Sequence, residues 1–324
     1  MRFAVCGLAL LGLFAAWPAL HAQPAAKLAR VGHLGHGLDS ALMATFRQSL
    51  VELGYAEGRN IAFEYRYAEG RADALPALAD ELAALNVDVI VANGTPAARA
   101  AQRATSTVPI VIVGVGGDPV QLGLVRTLSR PGGNVTGIAA RGTELWGKRL
   151  ELFREALPQL TRVAILANPN NPGNVLAVKE LEAVAPHAAV KLHTVMARNP
   201  GELARAFAEI PRESPDAMIV IWDAFLLSHG KRIADFAVKQ RLPTLAPVKE
   251  YVHVGALMSY GANVPDQWRR AAHYVDRILK GARAADLPVE QPTKFDLAIN
   301  LSTAKALGLK LPTTLVLRAD DVVH

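Results

Sequence analysis

The feature that most constrains this chain is a junction that recurs along it: a short β-branched apolar run, a turn of Gly, Asn or Asp, then a helical stretch. Val87-Asp88-Val89-Ile90-Val91-Ala92-Asn93-Gly94-Thr95-Pro96 shows it in full, with Thr95 in the place of a helix N-cap and Pro96 at the first helical position. Similar apolar runs at 28–34, 61–67, 108–113, 135–138, 162–167, 190–195, 217–221, 243–246 and 295–300 predict strands, and 255–261 is strand-like. Between them, apolar residues at helical spacing predict helices: Leu42, Phe46, Leu50 and Leu53; Trp146, Leu150, Phe153 and Leu157; Trp268, Ala271, Val275 and Ile278. A further helix is expected near 228–240. Strands alternating with helices predict parallel sheets covered on both faces, because a parallel connection must cross the sheet. Two such runs, 28–138 and 141–261, predict two similar α/β lobes. The helix and strand left over after both runs predict crossovers back between the lobes.

The N-terminus reads as an address. Met1-Arg2, an apolar run from Phe3 to Trp17 and Pro18-Ala19-Leu20-His21-Ala22-Gln23 predict a secretory signal over residues 1–22, cut after Ala22. The run is shorter than the ~20 residues a membrane helix needs. The only cysteine, Cys6, lies inside it, so the mature chain has no disulfide, thiolate metal site or cysteine nucleophile. The net charge is +6 and the pI about 9.5. Yet Lys and Arg are scattered among 29 acidic residues with no basic helix face, so nucleic acid is not an expected partner.

In open parallel sheets, ligands sit outside the carboxyl ends of the strands. The residues just after each expected strand are therefore the candidate ligand-binding set: Gly35 and His36, Asn93, Gly94 and Thr95, Gly117 and Asp118, Asn168, Trp222 and Asp223, Ser259 and Tyr260. Unpaired first-turn amides, carboxylates, amides and aromatic rings together suit a small zwitterionic or carboxylated solute with an apolar part. Each has a structural reading beside it: Thr95 and Asp118 as caps, Asn168 as a turn former, Trp222 and Tyr260 as packing. His33 and His36 lack a partner carboxylate motif, so no metal is expected. Phosphate-loop, nucleophile-elbow and zinc-protease motifs are missing, and neither catalytic residues nor cofactors are expected. The alternatives are a secreted hydrolase or isomerase pairing Asp118 with a histidine in the same cleft, and a ligand-sensing module serving a sensor protein.

Several longer motifs carry a resemblance. Leu53-Gly54-Tyr55 with Glu57-Gly58-Arg59-Asn60, Gly94-Thr95-Pro96-Ala97-Ala98, Gly117-Asp118-Pro119-Val120, Arg130-Pro131-Gly132-Gly133-Asn134-Val135-Thr136-Gly137, Met258-Ser259-Tyr260-Gly261 and Leu287-Pro288-Val289-Glu290-Gln291-Pro292-Thr293-Lys294-Phe295 span nearly the whole chain after the signal. The chain resembles the substrate-binding proteins of ABC importers, in the tryptophan/tyrosine-type group. The resemblance implies a type I periplasmic-binding-protein fold: two doubly wound parallel-sheet lobes joined by a three-crossover hinge, with 28–138 plus 262–283 as the N-terminal lobe and 141–261 plus 284–324 as the C-terminal lobe. It implies a periplasmic receptor that closes around a small amino-acid-like, often aromatic ligand, with a membrane permease and a cytoplasmic ATPase as partners. Thr95, Asp118 and Tyr260 become the foremost cleft residues. At Trp222-Asp223-Ala224-Phe225 the chain departs from the Pro-Asp-Pro of many relatives.

Overall fold

A computed structural model describes residues 28–37, 40–139 and 143–324. The expected export signal lies outside the described residues. The first lobe runs β1 (Ala29–Gly35), α1 (Ser40–Glu52), β2 (Ile61–Tyr67), α2 (Leu75–Ala84), β3 (Val89–Asn93), α3 (Thr95–Ala104), β4 (Ile110–Val115) and β5 (Val135–Ala139). The chain then crosses to the second: α4 (Thr143–Ala156), β6 (Arg162–Ala167), α5 (Pro172–Val184), β7 (Lys191–Met196), α6 (Pro200–Glu209), β8 (Ala217–Val220), α7 (Ala224–Ser228), α8 (Gly230–Lys239), β9 (Thr244–Ala246), α9 (Glu250–His253) and β10 (Met258–Ala262). It returns with α10 (Val264–Leu279) and finishes in the second lobe with β11 (Phe295–Asn300), α11 (Leu301–Ala306), α12 (Thr313–Leu317) and β12 (Asp321–Val323).

The strands form two sheets, ordered β2-β1-β3-β4-β5 and β12-β11-β10-β9-β8-β6-β7. Every pairing is parallel except β10 with β11, where the returning chain enters the second sheet against its neighbour. Side-chain alternation sets the layers. Ile90 and Ala92 pack under α2 and α3, while Val89 and Val91 face α1 and α10 through Phe46, Leu50, Trp268 and Val275. In the second sheet Ile165 and Ile219 meet Phe153 and Leu181, and Ala164, Leu166, Met218 and Val220 meet Leu203 and Ile233. Both sheets are covered on both faces, so their strands read as unbroken apolar runs.

Four details differ from the sequence reading. Gly94, with φ 87°, takes the N-cap of α3, so Thr95 is already inside the helix. The helix expected near 228–240 is α8, but a short helix without a sequence signal, α7, precedes it and ends at His229, where α8 begins. The terminal α12 and β12 had no signal, being short and set among Pro and charged residues. Residues from 284 were expected in the C-terminal lobe, but Leu287 and Val289 are buried in the first-lobe core, and Glu290 exchanges backbone bonds with Gly137 and Ala139 at 2.9 and 3.0 Å. That crossing comes after Glu290, because β5 needs a partner on its open edge.

Candidate ligand-binding cleft

The carboxyl ends of the two sheets face one another across a cavity of about 620 Å³. This is the size range of small-molecule sites. The first lobe supplies His36 after β1, Asn93 at the end of β3, residues 114–117 at the end of β4 and just beyond it, and Gln267 and Trp268 from α10. The second supplies Leu145, Trp146 and Arg149 from α4, Glu180 from α5, Trp222 after β8 and Glu250 at the start of α9. All three tryptophans of the described residues therefore wall one cavity.

Of the residues expected from sequence, His36, Asn93, Gly117 and Trp222 stand on the wall. Burial pulls the His36 pKa below its ordinary value against the opposing charge of Asp223. Gly94 lies behind: a β-carbon there would sit 3.4 Å from the Trp222 ring, so the bare glycine lets that indole rest against the first lobe. Gly35 is the last residue of β1, its carbonyl taken by the Ala68 amide at 3.0 Å. Six others are turned to structural work. The Thr95 hydroxyl is buried and contacts the Gly116 carbonyl and amide at 3.2 Å each. Asp118 accepts from the Val120 amide at 2.8 Å, capping its turn. Ser259 is buried within β10, and the Tyr260 ring stacks on Phe295 with centroids 5.9 Å apart.

Asn168 and Asp223 are buried in a polar network beneath the wall. The Asp223 carboxylate accepts from Asn168 Nδ2 at 3.0 Å, from Asn171 Nδ2 at 3.1 Å, and from the Phe225 and Leu226 amides at the start of α7. Asn174 closes the network by donating to the Trp222 carbonyl at 2.8 Å. The network holds the backbone that presents Trp222.

Sequence reasoning missed the charged wall. Arg149 is 6% exposed, its Nε donates to the Tyr260 carbonyl at 2.7 Å, and its Cζ lies 4.3 Å from the centre of the Trp146 ring. Burial lowers its pKa to about 9, opposed by Glu180 and Tyr260, which leaves it cationic at neutral pH. Glu180 is also 6% exposed. Burial first, then the like charge of Asp118, push its carboxyl up to about 7, with Arg149 opposing. The signal was present: Arg149 and Glu180 each interrupt the apolar face of an otherwise core-facing helix, three residues after Trp146 and Ala177.

A model of the ABC transporter substrate binding protein family matches residues 33–323. The chain belongs to that family. This substrate-binding protein is similar to a tyrosine-binding protein of Clostridioides difficile, 26% identical over 265 residues that cover 82% of this chain and 76% of the relative. A conserved domain protein from Vibrio cholerae superposes with a TM-score of 0.85 at 30% identity, over 91% of this chain and 100% of its own. An ABC domain from Streptococcus pneumoniae in complex with L-Trp gives 0.85 at 24% identity, over 92% and 100%. The ligand-free, open structure of a substrate binding protein with adhesive properties from Clostridium difficile gives 0.67 at 26% identity, over 91% and 99%. Proteins of this family bind small-molecule solutes and work with a transporter, and the two-lobed chain described above is a solute receptor of that kind.

Proposed function

We propose that this receptor is exported to the periplasm, closes around a small amino-acid-like solute with an aromatic or apolar side chain, and passes it unchanged to an ABC permease driven by its ATPase. One observation carries the reading: three tryptophans and two buried, opposite, unpaired charges line a single cavity between the lobes. Aromatic walls offer a side chain large apolar contact, and the buried charges offer a zwitterion charge-assisted hydrogen bonds worth about 1.5–3 kcal/mol each. The tyrosine-binding relative supports the same ligand class. Among the described residues no helix is long and apolar enough to cross a membrane.

A thermal-shift screen of the mature protein against amino acids, aromatic acids, amines and polyols tests this. A ligand at ~100 times its dissociation constant stabilises by about 2.7 kcal/mol, a shift of several degrees for domains of this size. An amino acid that shifts the transition and is recovered unchanged is the expected result; one that is consumed would move the assignment to an enzyme.

A further inference from the structure

The Nε–H bond to Tyr260 and the stacking on Trp146 fix the plane of the Arg149 guanidinium. Among the described residues nothing accepts a hydrogen bond from its Nη1 or Nη2, although the side chain is buried on the cavity wall. Glu180, on the neighbouring helix, is equally buried on the same wall, accepts no hydrogen bond and joins no ion pair among the described residues. The two feel each other's charge yet do not close into a salt bridge. Burying an ion costs several kcal/mol unless a counter-charge meets it. A fold that buries both ions on adjacent helices and keeps them apart leaves each to be met by the solute.

We infer that Arg149 and Glu180 are the charge-reading pair of the cleft: the guanidinium fork takes the carboxylate of an α-amino acid, and Glu180 takes its ammonium. The inference rests on the receptor reading and deepens it. An α-amino acid carries both charges on one carbon, so it spans two groups that stand near each other without touching. The planar fork suits a carboxylate in bidentate geometry. Glu250 is the rival acceptor, since its Oε2 is buried without a partner, but it lies on α9 and is not among the charges felt by Arg149. The Gln267 Oε1 is likewise buried without a partner and is left for a polar group on the solute.

Proton linkage follows. Glu180 faces Arg149 from α4 and Asp118 from the loop after β4, with His36, Glu69 and Glu250 on the remaining cavity wall. With a carboxyl titrating at about 7 in the empty cleft, accepting an ammonium requires the ionised form, so binding near pH 6.5 releases a proton.

The test is calorimetric titration of the mature protein with all L-amino acids, and then, for tryptophan and tyrosine, with tryptamine, tyramine, indole-3-propionate and 4-hydroxyphenylpropionate, beside benzoate and a polyol. An amino acid is expected to bind, with each analogue lacking one charge weaker on the order of 100-fold. Arg149→Met is expected to erase the preference for a carboxylate, and Arg149→Lys to keep it at reduced affinity. Glu180→Gln is expected to erase the preference for an amine and to abolish proton release, read from the enthalpy in two buffers of different ionisation heat. Arg149→Met that still prefers the carboxylate would overturn the inference, as would loss of amine preference in Glu250→Gln but not in Glu180→Gln. Tight binding of benzoate or the polyol with no amino acid bound would overturn it together with the amino-acid ligand class, and leave the role of solute receptor standing. No binding by any amino acid would overturn it as well.

Discussion

At His33 the first strand carries an imidazole into an aromatic wall, edge-on to Tyr65 and Tyr67, with Nδ1 3.0 Å from the Tyr67 hydroxyl and Nε2 buried without a partner. Burial lowers its pKa to about 3, so the folded protein holds it neutral. In the unfolded chain it takes a proton below about 6.5. Stability from this residue is therefore full above pH 6.5 and is lost as the pH falls toward 3, at up to about 1.4 kcal/mol per pH unit. Urea midpoints between pH 7 and 4 should fall more steeply in the native protein than in His33→Gln, by the equivalent of one proton. Glu180 has the opposite sign. Its folded pKa is raised to about 7, so its protonated form is favoured on folding and stability falls as the pH rises from about 4.5 to 7. Glu180→Gln should be more stable than the native protein at pH 8 by about 1–2 kcal/mol, allowing for solvent in the cleft. Equal melting temperatures at pH 8 would remove this account.

Single elements depend on a few polar contacts. Asp223 caps α7 and gathers two asparagine side chains from the β6–α5 turn. Replacing it with Ala leaves two amides and two side-chain donors without their acceptor, at about 1–3 kcal/mol for each buried group left unpaired. Asp223→Ala should unfold at clearly lower urea and, because Asn174 holds the Trp222 carbonyl, should also weaken ligand binding. A variant that lost stability but bound normally would separate the network from the wall. At this scale the sequence was readable where burial imposes one pattern. Runs such as Val89–Asn93 and Arg162–Ala167 became strands because a doubly covered sheet accepts little but β-branched and aliphatic residues. The cap at Thr95 was misread, since Gly94 with its positive φ meets the same need and frees the hydroxyl for Gly116. Trp146 was read only as part of an apolar helix stripe, and it belongs to the core cluster and the cavity wall at once. Arg149 and Glu180 went unnoticed because periodicity finds apolar stripes and treats a charge within one as noise. The residues after each strand were read one junction at a time, whereas much of the rest of the cavity wall is made by faces of α4, α5 and α10 that only the packing of the two lobes brings together.

The two lobes also touch beyond the cavity, and that contact bears on closure of the whole molecule. Gly173, at the start of α5, lies so close to the first lobe that a β-carbon on it would be 2.6 Å from Thr95 Oγ1 and 2.8 Å from the Gly116 carbonyl oxygen. Leu176, one turn along, packs onto Gly117. Trp222 rests on Gly94 alongside. The lobes are thus shut against each other, and a ligand that favours this state must do so by its greater affinity for it. Gly173→Val puts a branched side chain where only backbone fits: the two atoms nearest its β-carbon belong to the first lobe, and the next, Asn171 Oδ1 at 3.2 Å, to the second. The variant should fold, since both cores are untouched, but closing would force the lobes apart. Each 1.4 kcal/mol of added closing cost lowers affinity about tenfold, mostly through faster dissociation. Small-angle scattering with saturating ligand should show the native protein contracting and Gly173→Val remaining extended, with affinity lower by roughly 10–100-fold. If the variant contracts and binds as the native protein does, then the lobes yield at this point and closure is governed by the cavity alone.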